Sequence, residues 1–135
     1  MLSASNYKEQ FRDAMVKWSE AIRETDPDIF LRLAIEQQKA YDHPVWIFVD
    51  ARRPTDINFF NSGKFKDSEI IRIRLTASED TRQKRGWVFT PGVDDKTTEC
   101  GLDDFTGWEF IINNNGTVEE LLDELKPIIN KANTV

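Results

Sequence analysis

Cysteine is almost absent from this chain: Cys100 is the only one in 135 residues. A single thiol cannot form an internal disulfide, so stability must come from packing, and a reducing compartment suits it. Histidine is as scarce. His43 stands alone in a His-Pro turn and reads as a loop residue, not a general base. No apolar run approaches the ~20 residues of a membrane span, and Met1-Leu-Ser-Ala-Ser-Asn-Tyr-Lys8 has no signal-peptide hydrophobic region. Excess positive charge is missing too. The formal net charge of −6 argues against a nucleic-acid binder, whose surface would be broadly basic. The absence with the largest consequence concerns glycine. Gly63, Gly86, Gly92, Gly101, Gly107 and Gly116 never fall in the G-x-x-x-x-G-K-[ST] spacing, so the backbone cradle of a P-loop is not written in these residues.

Hydrophobic residues make up 39% and aromatics 11%, enough for one packed domain over 1–135. Asn6 with Glu9 predicts a helix start, and the helix runs to about Glu24. At ~100° per residue, Phe11, Met15, Trp18 and Ile22 form a narrow apolar stripe, and Lys8, Arg12, Ser19 and Arg23 form the stripe beside it. If the apolar stripe is buried, Lys8, Arg12 and Arg23 sit on the rim of a cleft. The plainer reading, a solvated face with i,i+4 pairs, stays open. Asp26-Pro27 predicts a second helix, with Asp26 as cap and an end near Tyr41.

Val45-Trp-Ile-Phe-Val-Asp50 is an unbroken apolar run ending in a carboxylate. Without alternation it predicts a strand buried on both faces of a parallel sheet. Arg52-Arg53 follow, then Pro54 and a short helix through Phe59 and Phe60. Residues 69–75 predict a second strand and 108–113 a third. Ser78 caps the short helix carrying Arg82 and Arg85, and Thr117 with Glu120 forms the capping box of the last helix, which Pro127 should kink. Residues 82–106 form a lid and a following loop, too long to lack a purpose. Strands alternating with helices point to α/β architecture, in which ligands bind beyond the carboxyl ends of the strands. Asp50, Arg52 and Arg53, Arg74, and Asn113 to Asn115 all fall at such ends. Guanidinium matches phosphate oxygens in bidentate fashion, so an anion site is the functional reading. Salt bridges to the abundant carboxylates are the plainer one.

Tyr7-Lys-Glu-Gln-Phe-Arg12, Trp18, Asp26-Pro27, Val49-Asp-Ala-Arg-Arg53 with Asp56-Ile57, the run Arg82-x-x-Arg85-Gly-Trp-Val-Phe-Thr-Pro-Gly-Val-Asp-Asp95, and Glu99-Cys-Gly-Leu-Asp103 together resemble the animal-type phosphomevalonate kinase family. The resemblance runs from about Tyr7 to the final helix. It implies a nucleoside-monophosphate-kinase-like P-loop fold, a three-layer parallel sheet with helices on both faces. It implies transfer of the ATP γ-phosphoryl group to 5-phosphomevalonate in the mevalonate route to isoprenoids and sterols, with Mg²⁺ accompanying ATP and a monomer acting on small molecules. By matching position, Lys8, Arg12, Arg23, Arg74 and Asn114 would serve the acceptor. Arg52 and Arg53 would hold its phosphate and, with Arg82 and Arg85, stabilise the transferring group. Arg82, Arg85 and Asn115 would meet ATP, and Asp50 would act on Mg²⁺ through water.

The family opens with a strand, a P-loop, a helix and a second strand, all ahead of the position of Tyr7. The expectation is therefore an N-terminally truncated domain lacking the first two strands, with a gap where the P-loop strand would lie between 45–50 and 70–75. Two functional expectations follow: a phosphomevalonate kinase, or a non-catalytic isoform or fragment keeping at most anion binding or a contact role. Arg85 supplies a test in a full-length version carrying the P-loop. Arg85→Ala should lower turnover by ~10³-fold or more while the circular dichroism spectrum stays that of the parent; a near-normal rate would remove Arg85 from the chemistry.

Overall fold

The computed structural model describes residues 6–134, and they fall into two units divided after Ile47. In the first unit, helix α1 spans Asn6–Thr25 and α2 spans Ile29–Gln37, followed by a 3-10 turn at Ala40–Asp42. The predicted first helix is present. The side chains of Asn6, Lys8 and Glu9 lie outside the described residues. The apolar stripe of α1 is not buried: Met15 is 52% and Trp18 61% exposed, although Trp18 meets Phe30 at a centroid distance of 5.9 Å. Periodicity shows which residues share a face, not what covers it.

Helix α2 departs from its expected limits. Asp28 is the N-cap, not Asp26. The Asp26 carboxylate instead accepts from the Arg32 guanidinium, whose Nη1 donates to Oδ1 at 2.9 Å and whose Nη2 donates to Oδ2. A charge-assisted bidentate pair outcompetes a neutral backbone N–H for that carboxylate. The helix stops at Gln37 because Lys39 adopts φ +49°, which no helix can continue through. Leu31 and Ile35, one turn apart, are the buried residues of α2.

The second unit holds α3 (Pro54–Phe60), a 3-10 turn (Gly63–Phe65), β1 (Ile73–Thr76), α4 (Glu79–Lys84), α5 (Thr97–Cys100), β2 (Phe110–Asn113) and α6 (Val118–Ala132). Strands β1 and β2 pair in parallel, Ile73 opposite Phe110 and Thr76 opposite Asn113. Among the described residues they make the whole sheet. The architecture is thus α/β with a small parallel sheet, shorter at the N-terminal end of each strand than 69–75 and 108–113 predict. Helix α6 packs against β2, burying Ile112 and Ile128. It starts with a complete capping box, Glu120 N donating to Thr117 Oγ1 and Thr117 N to Glu120 Oε2, and it continues through Pro127. A second apolar centre is aromatic: Phe59, Phe60 and Phe65 lie mutually 5.1 to 5.3 Å apart, with Phe48 5.4 Å from Phe60.

The largest correction concerns 45–50. These residues have no strand assignment, and Ile47 is 85% and Val49 89% exposed. A β-strand is defined by a neighbour that accepts and donates its backbone bonds. An apolar run records a need for burial, and no described strand pairs with this one.

Lys131, in the last turn of α6, ties the sheet to the helix end through Glu69 at 2.8 Å and Glu109 at 2.9 Å. Those bonds, Glu69 first, raise its pKa above the ordinary value, with desolvation opposing them. A cation with a raised folded-state pKa contributes fully below its unfolded value, about 10.4, and loses the contribution as pH rises through the folded value. The Tm difference between the parent and Lys131→Met should therefore stay constant from pH 7 to 9 and shrink above about pH 10.4. A difference that grows with alkalinity would refute the assignment.

Candidate functional site

The expected site residues of the second unit gather in two joints, each made by a backbone turn that reaches a guanidinium.

The first joint is built on α3. Buried Asp56, the third residue of that helix, turns its carboxylate back to the helix start. Its Oδ2 accepts from the N–H groups of both Arg52 and Arg53 at 3.0 Å. This is the usual way a first-turn acid satisfies orphan donors, and here it fixes the backbone from which two arginines leave. The Arg52 guanidinium is then held from two sides. Nε donates to Asp50 Oδ1 at 2.6 Å, and Nη1 donates to Glu99 Oε1 at 2.7 Å. The Asp50 bond is the main cause raising the Arg52 pKa above its ordinary value; burial opposes it and the Glu99 charge adds to it. Arg53 is half-buried beside it.

Arg74 lies within β1, and its guanidinium reaches the same stretch as Arg52. Nη1 donates to the Leu102 carbonyl at 2.8 Å and Nη2 to Asp103 Oδ1 at 2.7 Å. Its guanidinium carbon stands 5.6 Å from the Trp108 ring centroid. Residues 99–103 therefore grip both Arg52 and Arg74. Between the two grips the backbone must approach Arg52 closely: a Cβ on Gly101 would lie 2.7 Å from the Thr97 carbonyl oxygen and 2.8 Å from that of Arg52. Only glycine fits without displacing backbone.

The second joint binds α4 to the turn after β2. Ser78 Oγ accepts from Thr81 N at 3.2 Å, so α4 has the expected cap, and the Ser78 N–H donates to Asn115 Oδ1 at 2.7 Å. The Asn115 N–H donates to Asn113 Oδ1 at 3.1 Å, and Asn114 N to the Thr76 carbonyl at 2.7 Å. Arg85, just past α4, donates from Nη1 to the Asn114 carbonyl at 2.8 Å and from Nη2 to the Gly116 carbonyl at 3.2 Å. Arg82 lies over the Trp87 ring, 4.3 Å from its centroid, and makes no ion pair with the described residues. Gly86, at φ +90°, turns the chain between them. Beyond it the loop is ordered by its own acids: Thr90 N donates to Asp94 Oδ2 at 2.6 Å and Gly92 N to Asp95 Oδ1 at 2.7 Å. One turn of helix, α5, interrupts what the sequence predicts as continuous loop to Thr106.

The structure thus joins Asp50, Arg52 and Arg74 through 99–103, and Arg85 with Asn114 and Asn115 through 113–116. Arg12 and Arg23 belong to the first unit, where the Arg23 guanidinium lies 4.6 Å from the Phe30 centroid. Lys8 is outside the described side chains. Sequence reasoning passed over Glu99, Gly101 and Asp103 as bracing groups. Their signal was the Glu-Cys-Gly-Leu-Asp run itself, two carboxylates flanking a glycine.

Arginines braced on separate elements of an α/β chain suit phosphate recognition and equally suit structural ion pairing. Comparison with known proteins places the chain in a family. The family model of phosphomevalonate kinase matches residues 1–67. The phosphomevalonate kinase of Drosophila melanogaster is 35% identical over 133 residues, an alignment covering 93% of this chain and 70% of that protein. The chain belongs to the phosphomevalonate kinase family.

The close approach at Gly101 yields a test. Gly101→Ala should destabilise the protein by about 1–3 kcal/mol in a denaturant titration, because the new methyl meets two backbone carbonyls rather than a yielding side chain. An unchanged midpoint would show that 99–103 does not press on Arg52.

Proposed function

We propose that this protein is a phosphomevalonate kinase, moving the γ-phosphoryl group of ATP onto 5-phosphomevalonate to give 5-diphosphomevalonate and ADP, as a cytosolic monomer. The fold it uses in this reading is three-layered and nucleoside-monophosphate-kinase-like, with β1 and β2 as two of its parallel strands. The observation that carries the reading is the alignment with the fly enzyme over 93% of the chain. The braced arginines supply its chemistry. Donor and acceptor both bring phosphate charge, and catalysis is mostly positioning plus charge stabilisation. Arg52 and Arg53 take the acceptor phosphate, supported by Arg74; the family resemblance also assigns Lys8, Arg12, Arg23 and Asn114 to the acceptor. Arg82 and Arg85 close on the transferring phosphoryl group, and Asn115 meets the nucleotide. Arg85 would exchange neutral carbonyl acceptors for charged phosphate oxygens, adding ionic attraction and a bidentate match to bonds already assisted by its own charge.

Magnesium accompanies ATP in such chemistry, where it needs only one or two carboxylates besides phosphate and water. Asp50 fits an indirect role: Arg52 holds its Oδ1 at 2.6 Å, its side chain is otherwise open to solvent, and no cluster of three or more acidic, histidine or cysteine groups exists among the described residues. The ion would neutralise charge on the β- and γ-phosphates.

A second reading is anion binding without turnover, which the held guanidinium groups of Arg52 and Arg74 would support without a nucleotide. A coupled ADP-release assay with MgATP and 5-phosphomevalonate, beside calorimetry with 5-phosphomevalonate alone, separates the two. Turnover of about 1–100 per second supports the kinase. Saturable binding without ADP release supports the second reading. Neither binding nor turnover overturns both.

A further inference from the structure

We propose that Glu99 is a positioning residue for the acceptor phosphate: with Asp50 it fixes the Arg52 guanidinium, while Leu102 and Asp103 fix that of Arg74, so that one short segment at the end of the lid loop sets both cations. The proposal rests on the reading of Arg52 and Arg74 as acceptor-phosphate groups.

The argument starts from what is left of each guanidinium. Arginine has five N–H donors in a rigid fork. Asp50 takes the Nε donor of Arg52 and Glu99 takes one from Nη1. Both hydrogens of Nη2 and the second of Nη1 have no other acceptor among the described residues, so a phosphate can still be met in bidentate fashion. The carboxylates hold the fork without filling it. That matters because the Arg52 side chain is 47% exposed. An unheld arginine there would sample many rotamers, and ordering it on binding would subtract from affinity. The hold is also transmitted. Gly101 brings the segment's backbone onto the Arg52 carbonyl, and α5 links that segment directly to the lid residues before it. A shift of the lid loop must therefore move the Glu99 grip, the Arg74 grip, or both.

An opposite role is physically available: Glu99 could compete with phosphate for Arg52. The two roles predict opposite signs. Calorimetric titration of the full chain with 5-phosphomevalonate, for the parent, Glu99→Ala, Glu99→Gln, Arg52→Ala and the Arg52→Ala/Glu99→Ala double variant, distinguishes them. Glu99→Ala should weaken binding by about tenfold, the scale of a lost charge-assisted bond. Glu99→Gln should restore it to within about threefold of the parent, since the amide oxygen still accepts from Nη1. In the Arg52→Ala background the Glu99→Ala change should have no further effect, which is the mark of action through Arg52. Thermal melting of each variant supplies the folding check, and the glutamine variant keeps the test alive if the alanine variant unfolds. Parent-like or tighter binding by Glu99→Ala, or an equal loss in both backgrounds, overturns the positioning role alone. A parent chain that binds no 5-phosphomevalonate overturns the acceptor reading itself, and this proposal with it.

Discussion

Arg52 and Arg74 reach the same five residues of chain from far away: Arg52 meets Glu99 across 47 positions, and Arg74 meets Leu102 and Asp103 across 28 and 29. That grip is the constraint on which the rest of the second unit turns. It ties α3, β1 and the loop before β2 together with charge-assisted bonds, where burial alone would leave half-exposed side chains free. Gly101 is its geometric condition, because any side chain there would push the two grips off the Arg52 backbone.

Charge explains why such a grip is required. The chain carries 24 acidic and 18 basic residues, so every guanidinium is surrounded by candidate carboxylates. Arg52 gives Nε and one Nη1 hydrogen to carboxylates and keeps its remaining edge. Arg85 rests instead on neutral backbone carbonyls. Arg82 rests on the face of Trp87, a contact that occupies no donor along its line.

The elements legible in the sequence are those decided within one helical turn. Thr117 with Glu120 and Ser78 with Thr81 close their bonds over three residues, and both helices start where those residues say. The Asp26 cap was misread for an equally local reason that propensity does not weigh: an arginine six positions on competes for the same carboxylate. The arginines were legible as residue types beside strand ends, where an anion site and salt bridges to carboxylates were both open readings. Which groups hold them was not, because Glu99 and Asp103 look like any other surface acids until the chain returns to Arg52 and Arg74.

The amino-acid order by itself determined the caps of α4 and α6, the positions of the arginines, and the family, whose runs are specific enough to be read directly. Tertiary structure decided what those arginines touch and which apolar stretches become strands. Residues 73–76 and 110–113 form a ladder because each has the other as a neighbour, whereas 45–50, more apolar than either, has no described strand beside it. Backbone pairing and salt-bridge choice depend on which distant segment arrives alongside, and that information resides in the fold, not in any window of sequence.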